Sequence, residues 1–247
     1  MAIVINGTSG SDLIDKRGTS DDYIINAGAG NDTVYGGDGN DILNGGTGND
    51  TLTGGAGNDI YYVDSAADVV IEAPGGGIDK VFASVNYTLQ AGQEIELLAA
   101  IAGATGLVLT GNDLSNTIIG GAGNDTLNDG AGNDTLNGGA GDDTMAGGAG
   151  NDVYYVDSAA DVVIEAPGGG TDKVFASVNY TLQAGQEIEV LAANAGAIGA
   201  SGLVLTGNDL SNTIIGGAGN DTLNDGAGND TLNGGAGDDT MAGGAGN

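Results

Sequence analysis

The chain has 247 residues, of which 51 are glycine, 34 are acidic and only four are basic, for a formal charge of −30. That balance excludes nucleic acid as a partner, which needs a basic footprint. The absence of cysteine and histidine excludes disulfides, thiolate or imidazole metal sites and histidine-based catalysis. No apolar run approaches the roughly 20 residues of a membrane span. So much glycine to order, and so much like charge to gather, predicts a chain that needs bound cations to fold.

The start, Met1-Ala-Ile-Val-Ile-Asn6, lacks a basic region and is too short for a secretory signal. Ile3 to Ile5 predicts a first strand. Degenerate glycine turns follow, and their acids Asp12, Asp22 and Asp32 are ten residues apart. The reading favoured for this region is an N-terminal cap, over a terminal site partly neutralised by Lys16 and Arg17.

From Gly36 a strict period of nine sets in, the first feature to look for in any sequence. The turns Gly36-Gly37-Asp38-Gly39-Asn-Asp41, Gly45-Gly46-Thr47-Gly48-Asn-Asp50 and Gly54-Gly55-Ala56-Gly57-Asn-Asp59 each lead into three residues with an apolar centre: Leu43, Leu52 and Tyr61. Position six is always aspartate. Glycine supplies the tight turn, and the three residues after it make a short strand showing one side chain to a core. Two nines close one coil, and coils stack at about 4.8 Å, which places Asp32 over Asp50 and Asp41 over Asp59. Carboxylates about 5 Å apart repel by roughly 3 kcal/mol at an effective dielectric of 20, so the ladders need counter-ions. The position-five asparagines, Asn49, Asn58, Asn124 and Asn133, are read as serving turn geometry.

Between 63 and 119 the motif fades while the phase continues, through Asp68 and through Asp79 in Pro74-Gly-Gly-Gly-Ile-Asp79. Strands are predicted at Val81–Val85, Tyr87–Leu89, Glu94–Leu98 and Leu107–Thr110, before a repeat with Asn116 at position six. The favoured reading is a solenoid continued in longer coils with fewer ions; the rival is a small β-sandwich module. Glu94 with Glu96, and Glu187 with Glu189, are read as solvated strand faces and not as a catalytic pair.

The nines return over 120–155, in Gly120-Gly121-Ala122-Gly123-Asn-Asp125, then Gly130, Ala131, Gly132 and Asp134, then Gly138-Gly139-Ala140-Gly141-Asp-Asp143, then Gly147-Gly148-Ala149-Gly150-Asn-Asp152. A duplication follows. Gly54–Ala100 recurs at Gly147–Ala193 with three changes, carrying Asp68 and Asp79 into Asp161 and Asp172, and Leu107–Asn151 recurs unchanged at Leu203–Asn247. The last block, 216–247, holds Gly216, Gly217, Ala218, Gly219 and Asp221, then Gly226, Ala227, Gly228 and Asp230, then Gly234, Gly235, Ala236, Gly237 and Asp239. Five stretches are expected: a cap with the first block (1–62), a strand-rich segment (63–119), a second block (120–155), a duplicated strand-rich segment (156–215) and a third block (216–247). The sequence stops inside a repeat, so the expectation is a fragment whose last coil frays or pairs end to end with another molecule.

The nonapeptide G-G-x-G-x-D-x-U-x resembles the RTX (haemolysin-type) calcium-binding family. The resemblance implies an all-β fold, a right-handed parallel β-roll or β-solenoid, with Ca²⁺ ions stacked in the turns. It implies that each ion is bound by position-six aspartates of adjacent coils and by backbone carbonyls of positions one to four, in the pairs Asp32/Asp50, Asp41/Asp59, Asp125/Asp143, Asp134/Asp152 and Asp221/Asp239. Such an all-oxygen set suits Ca²⁺; the spacing is not that of an EF-hand. The function implied is a non-enzymatic repeat region of a larger secreted adhesin, surface protein, toxin or hydrolase, exported unfolded and folded by extracellular calcium. The runner-up is a carbohydrate-binding accessory module, with polysaccharide or a cell surface as partner and the outward Tyr62 and Tyr155 as stacking rings. Ice binding ranks low, because only Thr47-Gly-Asn49 fits a Thr-Gly-Asn rank.

Overall fold

The computed structural model describes residues 1–194 and 202–246. Their strands run from β1 (Ile3–Asn6) to β26 (Thr240–Ala242), with no helix among the described residues. All the strand pairs are parallel: Ile42 of β5 (Ile42–Thr47) lies beside Ile60 of β7 (Ile60–Val63), and Leu43 beside Tyr61. The odd-numbered strands form one sheet of 13, and the even-numbered strands form the opposite face in three sheets of four, five and four. The molecule is a parallel β-solenoid of short coils.

The short strands between the two ends send a large side chain inward, as the three-residue pattern demands, whereas Met241 in the last strand, β26, is exposed. Along the long sheet these are Ile25, Leu43, Tyr61, Val81, Leu98, Ile118, Leu136, Tyr154, Val174, Leu191 and Ile214, all essentially inaccessible. Val34, Leu52, Val70, Leu109, Leu127, Met145 and Leu223 face them from the other side. The two rows make a single slender core, in which each side chain contributes roughly 1.5–3 kcal/mol.

The turns explain the glycines. Gly150, at position four, has φ of 142°, and a Cβ there would lie 1.4 Å from the Gly132 carbonyl one coil below. The position-five asparagines stitch the turns together: Asn133 Oδ1 accepts the Asn151 N–H at 2.8 Å, and Asn124 Oδ1 accepts the Asp142 N–H at 3.1 Å.

The solenoid passes through both strand-rich segments. β7 pairs with β9 (Lys80–Ala83), β9 with β11 (Leu97–Ala100) and β11 with β13 (Thr117–Ala122), so the sandwich alternative is not what the chain builds. What breaks is the opposite face, where β8 (Val69–Ile71) and β10 (Tyr87–Thr88) fall in different sheets. There the Tyr87 hydroxyl reaches in and donates to the Asp68 carbonyl at 3.1 Å, as Tyr180 does to Asp161. Glu94–Glu96, expected to open a strand, lie in the turn before β11.

At the N-terminus Arg17 pairs with Asp15 at 2.6 Å and lies over the Tyr35 ring at 4.1 Å. Its charge is thus spent on these two partners and not on a position-six aspartate.

Candidate metal centre

The position-six aspartates occupy the residue just before each strand, so they stack along the two edges of the roll. In every expected pair the upper aspartate's Oδ1 accepts the lower one's backbone N–H: Asp50 from Asp32 at 2.8 Å, Asp59 from Asp41 at 2.7 Å, Asp143 from Asp125 and Asp152 from Asp134 at 2.8 Å, and Asp239 from Asp221 at 2.9 Å. One carboxylate oxygen is thereby locked to the main chain. The other is buried without a partner: Oδ2 of Asp32, Asp41, Asp50, Asp59, Asp125, Asp134, Asp143, Asp152 and Asp221 makes no hydrogen bond. A buried anionic oxygen left unsatisfied costs several kcal/mol, so its position needs a cation.

The space beside that oxygen is shaped by the glycine at position one. A Cβ on Gly36 would lie 2.3 Å from Asp41 Oδ2 and 2.8 Å from the Gly54 carbonyl of the next coil. At Gly120 the corresponding distances are 2.7 Å to Asp125 Oδ2 and 2.6 Å to the Gly138 carbonyl. Carboxylate and carbonyl oxygens therefore converge on a cradle that a side chain would fill. This hard, all-oxygen donor set fits Ca²⁺.

The edge leading into the long sheet carries acids that the nine-residue phase did not reveal. Glu72 and Glu165 are buried and accept hydrogen bonds from the inward Tyr61 and Tyr154 hydroxyls. The carboxylate oxygens of Asp59, Glu72 and Asp79 lie within 4.8 Å of one another, as do those of Asp152, Glu165 and Asp172. Asp129 and Asp225 stand at position one, where the other nines have glycine. A Cβ on Gly111 would meet Asp129 Oδ1 at 2.1 Å and Asn116 Oδ1 at 2.6 Å, so Asp129 brings a carboxylate to the coil whose position six is an amide. The replacement of glycine by Asp129, in phase and next to Asn116, was the signal available.

Glu96 and Glu189 correct a second expectation. They are half-buried in turns, and Glu96 Oε2 accepts the Asp79 N–H at 2.7 Å across a step of 17 residues. Glu189 treats Asp172 the same way. The longer side chain substitutes for a position-six aspartate in a shortened coil. Glu94 Oε2 likewise accepts the Gly75 N–H, and Glu187 Oε2 the Gly168 N–H.

Other candidates are less available to an ion. Asp68 Oδ1 accepts from Asp50 N–H, and its Oδ2 accepts from Asp64 and Ser65 N–H at 3.1 Å; Asp161 is held identically by Asp143, Asp157 and Ser158. Asp12 Oδ2 is taken by Thr8, and Asp38 is exposed. On the edge leading into the shorter sheets, Leu107 and Leu203 stand in register with Asp125 and Asp221, and the pairing of Tyr87 with Leu109 and of Tyr180 with Leu205 puts Val85 and Val178 at the same position one coil earlier. The outward Tyr62 and Tyr155 are not free rings; they stack on Phe82 and Phe175 at 5.6 and 5.5 Å.

The electrostatics follow from this crowding. Burial, with neighbouring carboxylates adding to it, pushes Asp59 up to about 7, Glu72 to about 8 and Asp129 to about 8. The same causes raise Asp79, Asp134, Asp143 and Asp172 to about 6. Within each triad a pair of full charges at 4.8 Å would repel by about 3 kcal/mol at an effective dielectric of 20.

A solenoid whose glycine turns hold stacked, partnerless carboxylates is a metal-binding repeat protein. The family model of the RTX calcium-binding nonapeptide repeat (four copies) matches residues 17–52, 35–70, 110–145, 130–163 and 215–247, more than half of the chain. The chain belongs to the RTX calcium-binding repeat family, and its repeats bind Ca²⁺ as a structural module. A comparison with curated proteins found no match. No helix among the described residues is long and apolar enough to cross a membrane.

Proposed function

We propose that this chain is a non-enzymatic, calcium-switched folding region of a larger secreted protein, disordered where calcium is scarce and assembled where it is abundant. The observation that carries this reading is the repeated, buried and partnerless Oδ2 at position six. Without ions these carboxylates oppose folding; with them the same oxygens bind one coil to the next. Binding that occurs only in the folded state adds about 2.7 kcal/mol per site at a hundredfold excess over Kd, and several such sites exceed the stability of an ordinary domain, about 5–15 kcal/mol. The family resemblance supports the extracellular setting, where millimolar calcium would trigger folding after export. The five-part division along the chain belongs to the same proposal. The ions would be held by the position-six aspartates and the turn carbonyls of positions one to four, and by Glu96 and Glu189 where the coil shortens.

The test is far-UV circular dichroism with chelator and with millimolar Ca²⁺. The expected result is disorder in the first and β structure in the second, with Mg²⁺ a poor substitute because it keeps its waters and demands a small octahedron. Equal folding in Mg²⁺ would contradict the site geometry, and stable β structure in chelator would contradict the switch.

A further inference from the structure

We propose that Asp59, Glu72 and Asp79, with their copies Asp152, Glu165 and Asp172, form two cation sites of a second kind, each with three carboxylates, which hold the tightest ions in the molecule. The inference rests on the reading that the turns bind calcium, and goes beyond it. A regular turn offers two position-six aspartates, whereas these offer a third carboxylate from outside the nonapeptide.

The third carboxylate has room because the coil is longer. The step from Asp59 to Asp79 is 20 residues against 18 in regular coils, and the added length lets Glu72 turn its side chain inward. Its backbone N–H is held by Gln93 Oε1 at 2.5 Å. Its Oε1 is held by the Tyr61 hydroxyl. In the second copy the Tyr154 hydroxyl also accepts the Gly147 N–H at 2.7 Å, so its single proton is committed to Glu165, which acts as an acceptor. Glu165 Oε2 is then buried with no partner, and so are Oδ2 of Asp59, Asp79, Asp152 and Asp172. Glu72 Oε2 takes only a long bond from the Ala73 N–H, at 3.3 Å.

Carbonyls complete the set. A Cβ on Gly76 would lie 2.9 Å from the Gly55 carbonyl, 3.0 Å from Glu72 Oε2 and 3.1 Å from the Ala73 carbonyl. Three negative charges within 4.8 Å, backed by neutral oxygens, favour a hard ion of high charge, Ca²⁺ or a trivalent lanthanide. Both sites sit where a regular calcium block meets a strand-rich segment, so each ion would fasten the coil whose length changes.

The test uses the full chain and two ions, Ca²⁺ and Tb³⁺. Tyr61 and Tyr154 each touch a proposed ligand, so the first two equivalents of Tb³⁺ are expected to give strong emission when tyrosine is excited. The paired substitution Glu72→Gln with Glu165→Gln keeps the shape and the tyrosine bond and removes only the charge. It is expected to weaken the two tightest Ca²⁺ ions at least tenfold and leave the remaining isotherm in place. Tyr61→Phe with Tyr154→Phe leaves every charge intact and is expected to remove the early Tb³⁺ emission while the ion count stays the same. That variant keeps the test decisive if the glutamine variant does not fold.

An isotherm superimposable on the wild type, or emission that grows evenly over all equivalents, would overturn the proposal and leave the nonapeptide reading standing. A wild-type chain that binds no calcium would overturn both.

Discussion

Gly36→Ala isolates the cradle at position one. Gly36 has no positive φ, so an alanine there strains nothing in the backbone, and by reducing the freedom of the unfolded chain it would stabilise by about 0.4–1 kcal/mol. The structure opposes this: the new Cβ would lie 2.3 Å from Asp41 Oδ2, 3.0 Å from its Cγ and 2.8 Å from the Gly54 carbonyl. The carboxylate must retreat by about 1 Å to reach ordinary contact, and it vacates the oxygen cluster as it does. Loss of one ion at a hundredfold excess over Kd costs about 2.7 kcal/mol, so the net effect is a loss of about 2 kcal/mol. For a chain of this size that lowers Tm by about 4–8 °C in saturating calcium. Gly10→Ala is the control, because nothing lies within 4 Å of its Cβ position; it is expected to melt at or slightly above wild type. Thermal melts of both variants in calcium decide the matter. A Gly36→Ala protein as stable as the control would refute the cradle.

Three further outcomes are expected. In chelator, the raised Asp59, Glu72 and Asp129 bind protons more readily folded than unfolded. Their stabilisation is therefore full below about pH 4 and lost as pH rises to about 8. Acid should promote β structure without calcium, so the calcium midpoint for folding should be lower at about pH 5 than at about pH 8; a midpoint that falls as pH rises would contradict this. Asn116→Asp removes the donor that serves the Ile95 carbonyl at 2.6 Å and adds charge beside Asp129, so chemical denaturation should show a loss of about 1–3 kcal/mol. Asp68→Asn sets an amide against the two N–H groups that its Oδ2 serves; Tm should fall while the number of bound ions, counted by equilibrium dialysis, stays the same.

The stacking of coils was readable from the sequence because phase and chemistry coincide in the nines: each Asp-x-U triplet fixes a turn, a strand and an inward side chain together. Where coil length departs from 18, that coincidence is lost. Glu94-Ile-Glu96-Leu-Leu alternates like a strand, yet the 17-residue step draws Glu96 into the turn and the strand begins at Leu97. Glu72 is separated from the aspartates it joins by a longer turn, and only the coil closing through space brings them together. Asp68 keeps the phase, but its turn, Asp64-Ser-Ala-Ala, directs two N–H groups at the carboxylate. Position in the repeat predicts where an acid lies; the local amides determine whether its second oxygen remains available.

The most direct test of calcium held between stacked turns is the anomalous signal of Ca²⁺ in a crystal grown with it. The expected map has a row of ions on the edge leading into the long sheet, running from the Asp41 turn to the Asp230 turn. On the opposite edge it has three separate groups, at Asp32–Asp50, Asp125–Asp143 and Asp221–Asp239, with gaps where Val85 and Leu107, and Val178 and Leu203, replace the acids. Peaks on the outward strand faces, or no peaks in the glycine turns, would contradict the account.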